Sequence, residues 1–483
     1  MEYEVTIGLE VHAQILTSSK MFCGCSAEYA NTAPNTHVCP VCLGLPGALP
    51  VINEHAIELV VLTGLALNCQ IAHDNVISRK NYFYPDLPSS YQRTQYDDPI
   101  CVAGWIEIVG DNGPKRIGLT RVHIEEDTGK RIHQADGSTL VDFNRAGVPL
   151  MEIVSEPDIA SPEEARRFFQ KLRQTLLWIG VNTGNMEEGA LRCDANISLR
   201  PRGQQQYGTK VEIKNMNSFR AVERALVYEV ERQARELDAG HTIPQSTRGW
   251  SEIEGRTKLQ RIKESSDDYR YFPEPDIPPL ALTSAWAEER RATLPELPDA
   301  RQQRFIEAYG LSAYDAETLT DVRIDSEYFE RAVAAAQRSG STPRDVANWM
   351  SGELFRLLKE TGEELGSIEA RFPAEYIGEV QEILAKGTIT RTSAKEVFEA
   401  SFRSGQRPAA IVAERGLAQI GAGDAISTMA RDAIANNPKS VSDYRAGKVT
   451  ALKFLVGQVM RASKGQANPQ AVQEALEKEL ALE

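Results

Sequence analysis

The run Glu4-Val5-Thr6-Ile7-Gly8-Leu9-Glu10-Val11-His12-Ala13-Gln14-Ile15 constrains the fold more than any other segment. Val5, Ile7, Leu9, Val11 and Ile15 recur at even spacing, and successive side chains of a strand point to opposite faces, so they make one apolar face. Glu10, His12 and Gln14 take the other face. A carboxylate and an imidazole therefore point the same way from an otherwise apolar strand.

Three further runs repeat the pattern. Leu119-Thr120-Arg121-Val122-His123-Ile124-Glu125-Glu126-Asp127 aligns Arg121, His123 and Glu125 and ends in consecutive acids. Leu191-Arg192-Cys193-Asp194-Ala195-Asn196-Ile197 sets Arg192, Asp194 and Asn196 opposite its apolar residues, and Lys210-Val211-Glu212-Ile213-Lys214 holds Glu212 between two lysines. If these strands share a sheet, one polar surface carries Glu10, His12, Glu125, Asp194 and Glu212, with Arg and Lys interleaved. Oxygen-rich sites of this kind suit hard divalent cations, and Mg²⁺ bridges carboxylates to nucleotide phosphates while Arg and Lys offset charge during phosphoryl transfer. The solvated face of an antiparallel sheet explains polar alternation on any single strand. It explains less well why acids and a histidine recur near the centres of several.

No Gly-x-x-x-x-Gly-Lys-Ser/Thr and no Gly-x-Gly-x-x-Gly is present, so ATP would be held by the sheet and its cations and not by a phosphate loop. The chain has 483 residues, room for roughly two to four domains. Its 54 Lys and Arg against 68 Asp and Glu give −14, which argues against general coating of nucleic acid but allows a local basic surface. No run approaches the roughly 18 apolar residues of a membrane span, and the first residues do not read as a secretory signal.

Cysteine usage points to a reducing cytoplasm with a metal site. Cys23-Gly24-Cys25 and Cys39-Pro40-Val41-Cys42 form two close pairs separated by thirteen residues. Each pair can chelate one edge of a tetrahedral Zn²⁺ while the loop closes the site, which makes the metal structural. Cys69, Cys101 and Cys193 sit in apolar contexts and read as core.

The organisation reads as α+β. Residues 1–292 are strand-rich, interrupted by a helix after Ser161-Pro162-Glu163-Glu164 and another after Asn217-Ser218. Closely spaced prolines between 273 and 298 suit a stiff connection, after which the pattern is helical over 293–404 and again over 405–483. The segment 79–92, Arg79-Lys80-Asn81-Tyr82-Phe83-Tyr84-Pro85-Asp86-Leu87-Pro88-Ser89-Ser90-Tyr91-Gln92, mixes aromatic and basic residues suited to an unpaired nucleotide end and is expected to be irregular.

Five of these stretches closely resemble the B subunit of the glutamine-dependent aspartyl/glutamyl-tRNA amidotransferases: Ile7-Gly8-Leu9-Glu10-Val11-His12, Arg79-Lys80-Asn81-Tyr82-Phe83-Tyr84-Pro85-Asp86, His123-Ile124-Glu125-Glu126-Asp127, Leu191-Arg192-Cys193-Asp194-Ala195-Asn196, and Asp267-Asp268-Tyr269-Arg270-Tyr271-Phe272-Pro273-Glu274-Pro275-Asp276. The tail, Phe454-Leu455-Val456-Gly457-Gln458-Val459-Met460 through Lys464-Gly465-Gln466-Ala467-Asn468-Pro469, resembles that family's C-terminal domain. The resemblance implies an antiparallel-sheet cradle domain similar to the glutamine synthetase catalytic fold, then a helical domain and a tail domain. It implies that Glu on glutamine tRNA, or Asp on asparagine tRNA, is activated by ATP with Mg²⁺ and then amidated by ammonia. By motif position, His12, Glu125, Glu212 and Glu10 would ligate Mg²⁺, with Asp194 close by. Arg192 and Lys80 would contact phosphate or the transition state, and Tyr82 the aminoacyl adenosine. Family members differ in retaining the four cysteines, so the Zn²⁺ expectation rests on this sequence's own set. No amidase centre is evident, which implies an amidase A subunit and a small C subunit as partners.

The region 405–483 holds ten Lys and Arg against eight Asp and Glu, +2 in an acidic chain. On a helix from about 448, Lys453, Gly457, Arg461 and Lys464 fall within about an 80° arc, a face for tRNA phosphates. A zinc-containing scaffold that only positions an acceptor end, and a ligase that uses free ammonia, are the rival readings. A scaffold would tolerate Glu212→Gln, whereas phosphoryl transfer would not.

Overall fold

The computed structural model describes residues 2–111, 113–262, 269–418, 424–463 and 467–482. Its contacts divide the chain into two units, Met1–Pro298 and Asp299–Glu483.

In the first unit the strand Tyr3–Gln14 lies inside a twelve-stranded sheet, between Pro149–Ser155 and Leu191–Pro201. Gly113–Glu126, Tyr91–Thr94 and Ser78–Asn81 follow on the Pro149–Ser155 side, and Val211–Met216, Ser246–Ser251 and Arg256–Ile262 on the other. Pairing is antiparallel except between Val211–Met216 and Ser246–Ser251, so the sheet is mixed where a purely antiparallel one was expected. The odd-numbered residues of the first strand account for its central place: Ile7 and Val11 are fully buried and Leu9 nearly so. Against them pack Phe168, Phe169, Leu172 and Leu176 of the helix Pro162–Trp178, and Val222 and Leu226 of Phe219–Asp238. Ser161 and Ser218 cap these helices by accepting from the Glu164 and Ala221 amides.

Two local expectations are corrected. A third helix, Glu54–Ala66, is not foreseen from the sequence, because Thr63 is the one polar residue after Glu58 and is itself buried, so no polar stripe continues along it to mark a helical period. The ends of segment 79–92 are regular. Ser78–Asn81 pairs with Tyr91–Thr94, Lys80 opposite Gln92, and Thr94 pairs with Glu125 of the next strand. That partner lies far along the chain, so the local sequence could not announce it. The motif at 267–276 falls partly outside the described residues. Within it Phe272–Pro273 pairs with Ser78 and Arg79.

The second unit is helical and holds two apolar clusters. One gathers Phe305, Phe329, Phe372, Phe398 and Phe402, with Ile411 and Val412 of Pro408–Glu414. The other runs from Ile426 through Leu455 and Val459 to Leu480. The helix Val449–Ala462 buries Leu452, Leu455 and Val459 and exposes Lys453 and Arg461, along with the apolar Val449 at its start. Lys464 lies outside the described residues. Among those described, no helix is long and apolar enough to cross a membrane.

Gly64 is the tightest point of the Glu54–Ala66 helix: a Cβ there would collide with Cys101 Sγ and press on Ile71 Cδ1 at 3.3 Å. Alanine gains about 1 kcal/mol in helix propensity, while overpacking costs typically about 1–3 kcal/mol. Gly64→Ala is therefore expected to lower the urea midpoint of the full chain, and an unchanged or higher midpoint would show that the helix can shift away.

Candidate active site

Antiparallel register turns the polar face into rows. His12 stands opposite Glu152 on one side and Arg192 on the other, and Glu152 stands opposite His123. One row thus reads His123, Glu152, His12, Arg192 across four strands, whose side chains meet because strands lie about 4.8 Å apart. The next row sets Glu10 between Asp194 and Val154, with Arg121 beyond. On the other side of the first row, Gln14 and Glu125 flank Leu150.

The side chains converge. His12 Nε2 lies 3.7 Å from Glu125 Oε2 and 3.5 Å from Glu152 Oε2, and His123 Nε2 lies 3.8 and 3.7 Å from the same two carboxylates. Glu125 accepts hydrogen bonds from Gln92 Nε2 (3.2 Å) and Thr94 Oγ1 (3.1 Å), with Lys80 Nζ at 3.7 Å. Burial disfavours the charge on Glu125, yet Lys80 and the two imidazoles overcome it and hold the carboxyl well below its usual range. Burial and Glu125 push Glu152 up, but His12 and His123 bring it down to about 2. Burial likewise opposes charge on His12, and the two carboxylates outweigh it and raise its pKa.

His12, Glu125 and Glu152 form a three-donor group that could hold a metal ion. One imidazole and two carboxylates fit a hard divalent ion that keeps waters for the rest of its shell. Glu152 was not among the residues picked from sequence. Its signal is that it is the one charged residue in the apolar run Val148-Pro149-Leu150-Met151-Glu152-Ile153-Val154. Glu10 and Glu212 stand apart from this group: Glu10 accepts from Asn196 Nδ2 (2.7 Å), and Glu212 from Thr247 Oγ1 (2.7 Å). Lys214 bridges Glu212 (3.2 Å) to Asp194 (2.6 Å).

The rows floor a cleft of about 620 Å³ lined by His12, Lys80, Tyr82, Glu125, Arg192 and Asp194, and also by Asp127, Lys214 and residues 215–217. That volume lies in the range of a small-molecule site. Arg192 is anchored by Asp127 at 3.0 Å, and Asp127 also accepts from Gln14 Nε2 at 2.9 Å. Asp127 was legible only as the last of three consecutive acids. The Lys80 ammonium lies 5.3 Å from the centre of the Tyr269 ring, which meets Tyr82 edge-on.

Away from the cleft, the sulfurs of Cys23, Cys25, Cys39 and Cys42 lie within 4.8 Å of one another. Four thiolates at about 2.3 Å from a tetrahedral Zn²⁺ would be separated by about 3.8 Å. The Cys39 amide donates to Cys42 Sγ at 3.2 Å. Cys23 donates to Cys42, which lifts the Cys23 thiol and lowers Cys42. The donor set fits zinc.

The pKa directions fix a pH profile for the metal-free chain. Glu152, depressed on folding, stabilises the fold above the ordinary carboxylate range, and this is lost as pH falls from about 4.5 toward 2. His12, raised on folding, contributes fully below about pH 6.5, and this is lost as pH climbs through its folded value. Glu152→Gln removes the first and weakens the second, leaving Glu125 alone beside His12, so its urea midpoint, measured in chelator from about pH 3 to 8, should vary less with pH at both ends than the unmodified chain's. Parallel profiles would mean that the pair is not coupled.

A model of the GatB/GatE catalytic domain matches residues 5–288, and one of the GatB domain matches residues 327–480. The chain is 72% identical over 483 residues to a protein of Roseiflexus castenholzii, covering all of both chains. It is 56% identical over 481 residues to one of Herpetosiphon aurantiacus and 50% identical over 480 residues to one of Caldanaerobacter subterraneus, covering at least 99% of each chain. All three are named as the B subunit of aspartyl/glutamyl-tRNA(Asn/Gln) amidotransferase. The match spans both the cradle that carries the His12 row and the helical unit beyond it, and the chain belongs to the family of amidotransferase B subunits.

Proposed function

We propose that this chain performs the ATP-dependent half of a tRNA amidation, as the B subunit of a ligase with glutamine as nitrogen donor. The family's name supports the reaction class. The observation that carries the reading is the convergence of His12, Glu125 and Glu152, with His12 and Glu125 lining one cleft together with Lys80 and Arg192. The side-chain carboxylate of Glu or Asp esterified to tRNA attacks the γ-phosphorus of ATP, and the bond to the leaving ADP breaks. Ammonia then adds to the acyl carbon, the phosphate departs, and the nitrogen sheds a proton to leave the amide.

Mg²⁺ held by His12, Glu125 and Glu152 would neutralise charge on the transferring phosphoryl group. Lys80 and Arg192 bind phosphate oxygens, and Asp127 fixes the Arg192 guanidinium. Tyr82 lies against the aminoacyl adenosine. Glu10, Asp194 and Glu212 carry the acidity for a second cation, which would have to displace Lys214. An amidase A subunit, with a small C subunit, supplies the ammonia. Zn²⁺ on Cys23, Cys25, Cys39 and Cys42 orders the 23–42 loop, and residues 405–483, with Lys453, Arg461 and Lys464, bind the tRNA.

The test mixes the assembled complex with ATP, Mg²⁺, Glu-tRNA or Asp-tRNA and ammonium chloride, which bypasses glutamine. Amide should form, and Glu125→Gln or Glu152→Gln should cut its rate at least about a hundredfold with tRNA affinity retained. No amide, with ATP consumption indifferent to misacylated tRNA, would overturn the reading. Replacing Lys453 and Arg461 together with alanine should weaken tRNA binding and lower the slope of log affinity against log salt by roughly 1–2. An unchanged slope would remove the tail from the tRNA interface.

A further inference from the structure

Lys20 has no place in the reaction described above, yet it is the fully buried lysine among the described residues, at 0% exposure. Burying an ammonium is costly unless every proton is met. Its three N–H groups have three acceptors: His37 O at 2.8 Å, Phe143 O at 3.3 Å and Cys42 Sγ at 3.6 Å. Each belongs to a different part of the site. Cys42 is one of the four clustered cysteines, His37 lies in the loop between the two cysteine pairs, and Phe143 opens a segment of the cradle.

That segment is the route from the cysteines to the cleft. Asn144 donates to Ala33 O at 2.7 Å and Thr32 Oγ1 at 3.1 Å, and the His37 amide donates to Asn144 Oδ1 at 2.8 Å. Gly147 O accepts from the Met21 amide at 2.8 Å, and the Gly147 amide donates to Asp127 O at 2.9 Å. Asp127 in turn holds Arg192. The floor of this corner is close-fitting: a Cβ on Gly147 would stand 3.4 Å from Lys20 Cδ and 3.6 Å from Cys42 Cβ, and the Gly147 φ of +87° already favours glycine.

We propose that Lys20 is a positioning residue of the four-cysteine centre, whose buried ammonium offsets the charge of the thiolates and clasps the 23–42 loop to the 143–147 segment behind Asp127. Four thiolates around one divalent ion leave a net charge of about −2, and Lys20 is placed to halve it. The inference rests on the zinc reading of the cysteines, and its test separates the two.

The full chain is loaded with zinc, and metal content and the rate of release to an excess of chromogenic chelator are measured for the unmodified protein, Lys20→Met and Lys20→Arg. Lys20→Met keeps the length and apolar stem but not the charge, and should release zinc roughly 10–100-fold faster. Lys20→Arg keeps the charge and should stay near the unmodified rate. A residue that merely fills space would leave release from the methionine variant unchanged, and that result overturns the proposal. So does an arginine variant as leaky as the methionine one. If Lys20→Met does not fold, Lys20→Gln takes its place in the same comparison. An unmodified chain that holds well under one equivalent of zinc would instead sink the zinc reading itself.

Discussion

Everything in the cradle turns on keeping two carboxylates, two imidazoles and an ammonium together in a nearly dry place. Glu125, Glu152 and His123 are each buried, and His12 and Lys80 close over them. Like charges this close in a low dielectric repel strongly, and the arrangement persists because each acid has a basic neighbour within about 4 Å. The sheet supplies the rigidity. His12, Glu152 and His123 are fixed by backbone ladders on three adjacent strands whose opposite faces lock into one apolar core with the two long helices. No loop has to be ordered to assemble the group, as a preorganised site for charge development requires.

The sequence makes faces legible and register illegible. Period-two alternation assigns Glu10, His12, Glu125, Asp194 and Glu212 to polar faces, and the structure keeps them there. Which of them meet is decided by how strands slide past one another. A shift of two residues along Tyr3–Gln14 would put Glu10, not His12, opposite Glu152 with every side chain still on its proper face. This is why Glu212, equal to Glu125 by alternation, sits with Thr247 and Lys214 instead. Glu152 escaped for the converse reason: its strand is apolar on both sides of the acid, so no alternation marks it. The four cysteines needed no register at all, because two short spacings and one loop bring them together.

The acidic balance of −14 can now be divided by place. Part of it lies on the polar face of the sheet, where Glu10, Glu125, Glu152, Asp194 and Glu212 stand with Asp127 beside the cleft and are only partly offset by Lys80, Arg192 and Lys214. The exposed Lys453 and Arg461 lie on a separate helical unit. A single net charge averages an acidic sheet face with a basic helix, and it describes neither.

Two buried polar networks in the cradle show how structural and functional burial differ. In the first, Arg79 and Arg93 share Glu274, at 2.9 and 3.1 Å, and Arg93 also reaches Glu126 at 3.1 Å. These groups carry no unmet buried atom, and together they pin the 272–276 segment to the Ser78–Asn81 and Tyr91–Thr94 strands. In the second, on the polar face of the central strands, Arg121 Nε, His123 Nδ1, Arg192 Nε and Asn196 Oδ1 are all buried without a hydrogen-bond partner. Each such atom costs roughly 1–3 kcal/mol, and a fold has no reason to gather four of them on one face for its own stability. A closed network braces the rim of the site. The open one lacks partners that the protein itself does not supply, three nitrogens and an amide oxygen on one face, and it is there, not in the satisfied contacts around it, that water or a bound ligand has polar atoms to meet.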